Sequence, residues 1–173
     1  MPTAWHATAD SGKPSAHKEN DMENIDRLTQ AFKNQYERFQ IGCDAIEETG
    51  VWDKEAFGEM DVFYENDLVA LILRLIAADG KIAAKEAEYL NKNFGFDYTP
   101  EKLAEVYENC RGAIGAEFDG KFKDGVARMK TINGKLAAAY EELLGTVCDI
   151  VIASDGEISP AEIQEAKRIK SLV

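Results

Sequence analysis

The sequence predicts an all-α fold, a compact bundle of about seven helices with two pseudo-symmetric helix–Asp-Gly–helix corners. Three observations lead there. Apolar residues recur at spacings of three and four along most of the chain, and strong helix starts and stops separate those stripes. No segment alternates apolar and polar residues with β-branched enrichment, as a strand would. With 173 residues and 45% hydrophobic content, the chain can bury one core.

Residues 1–19 are polar, aperiodic and punctuated by Pro2, Gly12 and Pro14, and read as a flexible leader before a single domain over 20–173. The first helix is expected from about Asp21 to Thr49, capped by Asn20 with Glu23 reaching back, and stopped by Gly50. Ile25, Leu28, Phe32, Tyr36, Phe39, Cys43 and Ile46 form its stripe. A short irregular or helical piece around Trp52–Met60 leads into a second helix, about Asp61–Ala78. Its centre is apolar almost all round, which marks a buried element, and Arg74 is the exception that needs a partner. A third helix, about Ala83–Phe94, stops at Gly95. Thr99-Pro100 starts the fourth, which buries Leu103, Val106, Tyr107, Cys110 and Ile114. Phe122, Val126 and Met129 mark the fifth, with Asp119-Gly120 and Asp124-Gly125 read as a turn before it. Asn133 caps the sixth, and Ser159-Pro160 starts the seventh. Asp149 of the sixth is a candidate buried partner for Arg74.

Charge excludes some functions and points to others. The formal net charge is −12, which argues against a nucleic-acid or anionic-membrane surface. Nine acids between Asp44 and Asp67 face the single base Lys54, so this stretch is either a solvated helix face or a surface for a basic protein partner or a cation. The longest apolar runs, Leu68–Leu73 and Ile150–Ala153, are too short for direct membrane insertion. Cys43, Cys110 and Cys148 fall on apolar stripes without paired spacing and read as reduced core residues, which places the chain in the cytoplasm. A homo-oligomer is left open.

An internal repeat is the most informative feature. Leu75-Ile-Ala-Ala-Asp79-Gly80-Lys-Ile82-Ala-Ala-Lys-Glu86 matches Val151-Ile-Ala-Ser-Asp155-Gly156-Glu-Ile158-Ser-Pro-Ala-Glu162, giving related corners near 71–90 and 147–166. EF-hand loops are excluded, because Leu75, Ala77, Val151 and Ala153 stand where oxygen ligands are required. Two readings of the acids stay open. In one, Glu162 completes a capping box with Ser159 and the aspartates favour the turn, although Ala83 cannot play that part for Glu86. In the other, Asp79, Glu86, Asp155 and Glu162 converge on a divalent cation, Ca²⁺, Mg²⁺ or Mn²⁺.

The Ala-Ala-Asp79-Gly-Lys-Ile-x-x-x-Glu86 and Ala-Ser-Asp155-Gly-Glu-Ile-x-x-x-Glu162 corners, each behind an apolar helix, resemble the tellurite-resistance TerB-like family over about Asp61–Val173. They also resemble the N-terminal domain of membrane-anchored J-domain co-chaperones. The resemblance implies a bundle of about seven helices whose corner acids, here Asp79, Glu86, Asp155 and Glu162, bind metal. It further implies a protein-interaction role in bacterial stress response. The polar leader and the Gly112–Gly125 stretch depart from that pattern. No phosphate loop, Gly-x-Ser-x-Gly, His-Glu-x-x-His or Cys-His pair is present, and the only histidines, His6 and His17, lie in the leader, so no enzyme is expected. The alternative function is that of an acidic helical protein that neutralises a basic partner, as toxin-immunity proteins do.

Overall fold

Two helices apolar on nearly every side cannot both lie at a surface, and the architecture follows from burying them. The computed structural model describes residues 16–77, 82–154 and 157–173. Among the described residues eight helices run in order: α1 (Ala16–Glu48), α2 (Lys54–Phe57), α3 (Met60–Ile76), α4 (Ala84–Phe94), α5 (Pro100–Ile114), α6 (Phe118–Ile132), α7 (Gly134–Ala153) and α8 (Pro160–Lys170). The described residues contain no strand, so the fold is all-α. The helix beyond the seven expected is the single turn α2, built from the short piece near Trp52. The Asp53 side chain accepts the Ala56 N–H at 3.0 Å to cap it.

The buried pair is α3 and α7. From Leu68 to Leu73 every residue of α3 is buried, and α7 buries Leu143, Leu144, Val147, Cys148, Ile150 and Val151. α7 packs against α1, α3, α6 and α8, and α3 touches α1, α2, α5, α7 and α8. Three rings pin the centre. Phe39 of α1 stacks on Tyr140 of α7 with centroids 5.2 Å apart, and Tyr64 of α3 meets both edge-on. Gly42 allows α1 and α7 to close, since a Cβ there would sit 2.6 Å from Leu136 Cδ1.

Caps fall where the residue types require them. The side chains of Thr99, Asn133 and Ser159 accept the N–H groups of Lys102, Leu136 and Glu162 at 3.1, 2.9 and 3.3 Å. Gly95, at φ +73°, closes α4 in the left-handed conformation. The entry to α1 differs from the expected start near Asp21. The helix begins at Ala16, so Asn20 and Glu23 lie inside it, because Ala16, Lys18 and Glu19 extend a helix at little cost. Residues 1–15, most of the expected leader, lie outside the described residues.

Three further expectations are corrected. The Asp-Gly pairs at 119–120 and 124–125 are helical, forming the first turns of α6. The two interior glycines cost about 1 kcal/mol each. That cost is offset where Phe118 stacks on Phe122 at 5.6 Å and where Asp119 meets Arg168 in a two-pronged pair at 2.7 and 2.9 Å. Arg74 does not pair with Asp149. Its guanidinium donates to Glu165 of α8 at 3.0 and 3.1 Å, donates to the carbonyls of Ile114 and Gly115, and lies over the Phe118 ring. Asp149 pairs instead with Lys170. Cys43 and Cys148 are buried core residues whose thiols burial pushes up to about 12, but Cys110 is only half-buried.

Arg74 and Arg168 thus tie α3, α6 and α8 through Glu165 and Asp119. The guanidinium groups hold the Glu165 carboxyl below its usual range, Arg168 first and Arg74 second. A depressed folded-state pKa contributes stability above the unfolded value, about 4.3, and that contribution is lost as pH falls through the folded value. Arg74→Ala, which strips the Ile114 and Gly115 carbonyls of a donor, is expected to cost about 1–3 kcal/mol. Thermal melting should fall by roughly 2–4 °C per kcal/mol. Glu165→Gln should flatten the loss of stability below about pH 4. A wild-type melting temperature for Arg74→Ala would contradict this account of the network.

Candidate functional site

Each buried helix ends at a corner and hands the chain to a helix of the same length: α3 leads to α4 and α7 to α8, and both followers have eleven residues. Because Ala84 and Pro160 are the first residues of those helices, Glu86 and Glu162 occupy the same position, the third of the first turn. An acid there opposes the positive end of the helix dipole. Glu86 is 5% exposed, and its Oε2 accepts the Ala83 N–H at 2.8 Å. This is half of a capping box: alanine at the cap removes one hydrogen bond of the pair and leaves the other. In the second corner the other half is seen, with the Glu162 N–H donating to the Ser159 hydroxyl. Capping therefore accounts for Glu86 despite Ala83, which the sequence pattern left open.

The two corners share one cleft. A cavity of about 400 Å³ is lined by Ile76, Lys85, Glu86, Glu88, Tyr89, Lys92 and, from the second corner, Glu157, Ile158, Ser159 and Glu162. That is within the range of small-ligand sites. Side-chain contacts cross between the corners. Lys92 reaches Glu157 at 3.3 Å, an exposed pair of small value. The Ser154 hydroxyl donates to the Ile150 carbonyl at 2.7 Å, so the Tyr89 hydroxyl donates to Ser154, also at 2.7 Å. Burial raises the Tyr89 pKa well above the phenol range, so the ring stays neutral and keeps that proton.

Of the four acids singled out by the repeat, Glu86 and Glu162 line this cleft together. Asp79 and Asp155 lie outside the described residues. Among the described residues the cleft holds no group of three acids with ligand oxygens within 4.8 Å of one another; Glu47, Glu59 and Asp61 form such a group elsewhere. Those three carboxylates could hold a metal ion. Each has another occupation: Glu47 accepts the Met60 N–H, Asp61 accepts the Val62 N–H at 2.8 Å, and Lys54 reaches Glu59 at 2.7 Å and Glu47 at 3.7 Å. Hydrogen bonding to Lys54 keeps the Glu59 carboxyl below its usual range. No sequence spacing marks this trio, because the turn around α2 assembles it. Tyr89 was also missed, although a signal existed: it stands three residues after Glu86, on the same helix face.

A family model described as tellurite resistance protein TerB matches residues 65–173, more than half of the chain. The match runs from within α3 to the end of α8 and takes in both corners. No curated protein and no solved structure matches the chain.

The Tyr89–Ser154 bond can be tested as a tie between corners. Tyr89→Phe and Ser154→Ala should each destabilise by about 0.5–1.5 kcal/mol, and the double variant by less than their sum. Denaturant unfolding of the four proteins measures the coupling. Strict additivity would show that the bond does not join the corners.

Proposed function

The chain belongs to the TerB family, and from that premise we propose a non-enzymatic helical module whose corner cleft takes a divalent cation and whose acidic face engages a protein partner. The observation that carries the reading is the shared cleft. Two glutamates at identical helix positions, 76 residues apart in sequence, line one cavity. The donor chemistry fits a hard ion such as Ca²⁺, Mg²⁺ or Mn²⁺, since carboxylate oxygens and the Ser159 hydroxyl are the oxygens such ions prefer. One Glu86 oxygen is already engaged by the Ala83 N–H, and the other lies 3.9 Å from Lys85 Nζ. Glu86 and Glu162 would therefore hold the ion together with Asp79 and Asp155, which follow the same buried helices in sequence. A bound ion would supply charge neutralisation and a cross-link between corners. The family's description, tellurite resistance protein, supports a stress-response role for this module, and the reading puts it in the bacterial cytoplasm.

Melting curves with Ca²⁺, Mg²⁺ or Mn²⁺ against chelator test the reading. An ion bound only to the native state stabilises it by about 2.7 kcal/mol at ~100-fold excess over Kd. A rise of about 5–10 °C is therefore expected. Glu86→Gln and Glu162→Gln should abolish the rise while leaving the metal-free protein nearly unchanged, because Gln also serves in a capping box. If capping is the whole role of these acids, metal shifts nothing in any variant and only Ser159→Ala, at about 0.5–2 kcal/mol, lowers stability.

A further inference from the structure

The acidic stretch is not uniformly polar. Val51, Phe57 and Val62 are 63, 43 and 48% exposed, three of the large hydrophobic residues that the folded chain leaves in water. They share a base. The Phe57 ring lies 5.4 Å from Trp52 and 5.7 Å from Phe63, and Val51 and Val62 are the chain neighbours of those two rings. This base is rigid: the Trp52 indole N–H donates to the Gly58 carbonyl at 2.8 Å, Asp53 caps α2, and Trp52 is itself buried. Apolar residues scattered singly at a surface need no explanation, but a group held on a fixed aromatic platform presents a preorganised docking face.

The surrounding charge specifies what docks. Nine acids between Asp44 and Asp67 face one lysine. Lys54 is committed to Glu47 and Glu59, and Arg128 lies over the Phe57 ring at 5.6 Å. Asp44, Glu48, Asp53 and Glu55 are exposed, and none of them makes an ion pair among the described residues. Exposed apolar residues and unpaired acids in one stretch complement one chemistry, a helix with leucine-like residues on one face and lysine or arginine on the other. We propose that Val51, Phe57 and Val62 with the acids of the same stretch dock a basic amphipathic helical segment of a partner protein. The rings supply the buried anchor, and the acids supply orientation and fast encounter. This rests on the partner-binding half of the function proposed above and is independent of its cation half. The matched family region begins at residue 65, so the docking face lies in the part of the chain that precedes it.

The full chain can be titrated against a fluorescent 18-residue peptide of leucine and lysine with leucines at helical spacing. An isomer of the same composition in an order with no apolar helical face serves as control, and anisotropy reads both. The patterned peptide should bind, and the isomer about tenfold or more weakly. Phe57→Ser/Val62→Ser should weaken binding by a similar factor. Glu48→Lys/Glu55→Lys should do the same and flatten the dependence on salt. Glu86→Gln/Glu162→Gln should bind as wild type, which keeps failure of the cation reading distinct from failure of this one. The substituted side chains are exposed, and circular dichroism confirms folding of each variant. Equal binding of both peptides, or wild-type binding by Phe57→Ser/Val62→Ser, would overturn the proposal. So would sedimentation showing a wild-type dimer that Phe57→Ser/Val62→Ser dissolves, which would make a second copy of the chain the occupant.

Discussion

Leu68–Leu73 of α3 and Leu143–Val151 of α7 leave almost no face for water, and the rest of the structure depends on satisfying that constraint. Each buried helical leucine or isoleucine side chain is worth about 1.5–3 kcal/mol relative to exposure, so neither helix can be lifted out cheaply. Other elements are therefore recruited as covers: α1 and α6 lie against α7, α5 against α3, and α8 against both. The Phe39, Tyr64 and Tyr140 rings set the spacing of α1, α3 and α7 at the centre. Both central helices run into a corner, and packing them together brings the follower helices α4 and α8 to one cleft. The site is a consequence of core packing.

That origin explains the division of labour among charges. Glu86 and Glu162 sit at helix starts, where the dipole tolerates a carboxylate, and the crossing bond from Tyr89 to Ser154 is neutral and buried. Arg74 and Arg168 instead bind helices to one another away from the cleft, between α3, α6 and α8. Of the acids of residues 44–67, Asp53 caps α2 and Glu47 and Glu59 pair with Lys54, while Asp44, Glu48 and Glu55 stay exposed to solvent or a partner. The same residue type thus serves as helix cap, interhelical tie and open surface charge, according to the backbone that presents it.

Much of the fold was legible because it is encoded locally. Thr99, Asn133, Ser159 and Gly95 act where their side chains or conformations require, and the apolar stripes of α3 and α7 mark them as the core. Misreadings arose where tertiary contacts outweigh local preference. Gly120 and Gly125 favour a turn, yet Phe118, Phe122 and Asp119 have partners only if the segment is helical. Arg74 stands close to register with Asp149, but which helix faces it is decided by the packing of α8, and Glu165 takes the contact. The repeat pointed to Glu86 and Glu162, and they do share a cleft. It could not point to Tyr89, whose bond needs Ser154, because the first corner has Ala78 at the equivalent place. Nor could it point to the Glu47, Glu59 and Asp61 trio, which no repeat spacing encodes.

The central claim is that a divalent ion binds at the corners and not at that trio. Paramagnetic Mn²⁺ distinguishes the two places directly, because it broadens the amide resonances of residues near it. In a two-dimensional amide spectrum of the labelled protein titrated with substoichiometric Mn²⁺, the account expects selective loss of signals from residues 83–90 and 157–163. Signals from 47–61 should persist, and excess Mg²⁺ or Ca²⁺ should reverse the loss. Broadening centred on Glu47, Glu59 and Asp61, or uniform weak broadening across the acidic surface, would contradict it.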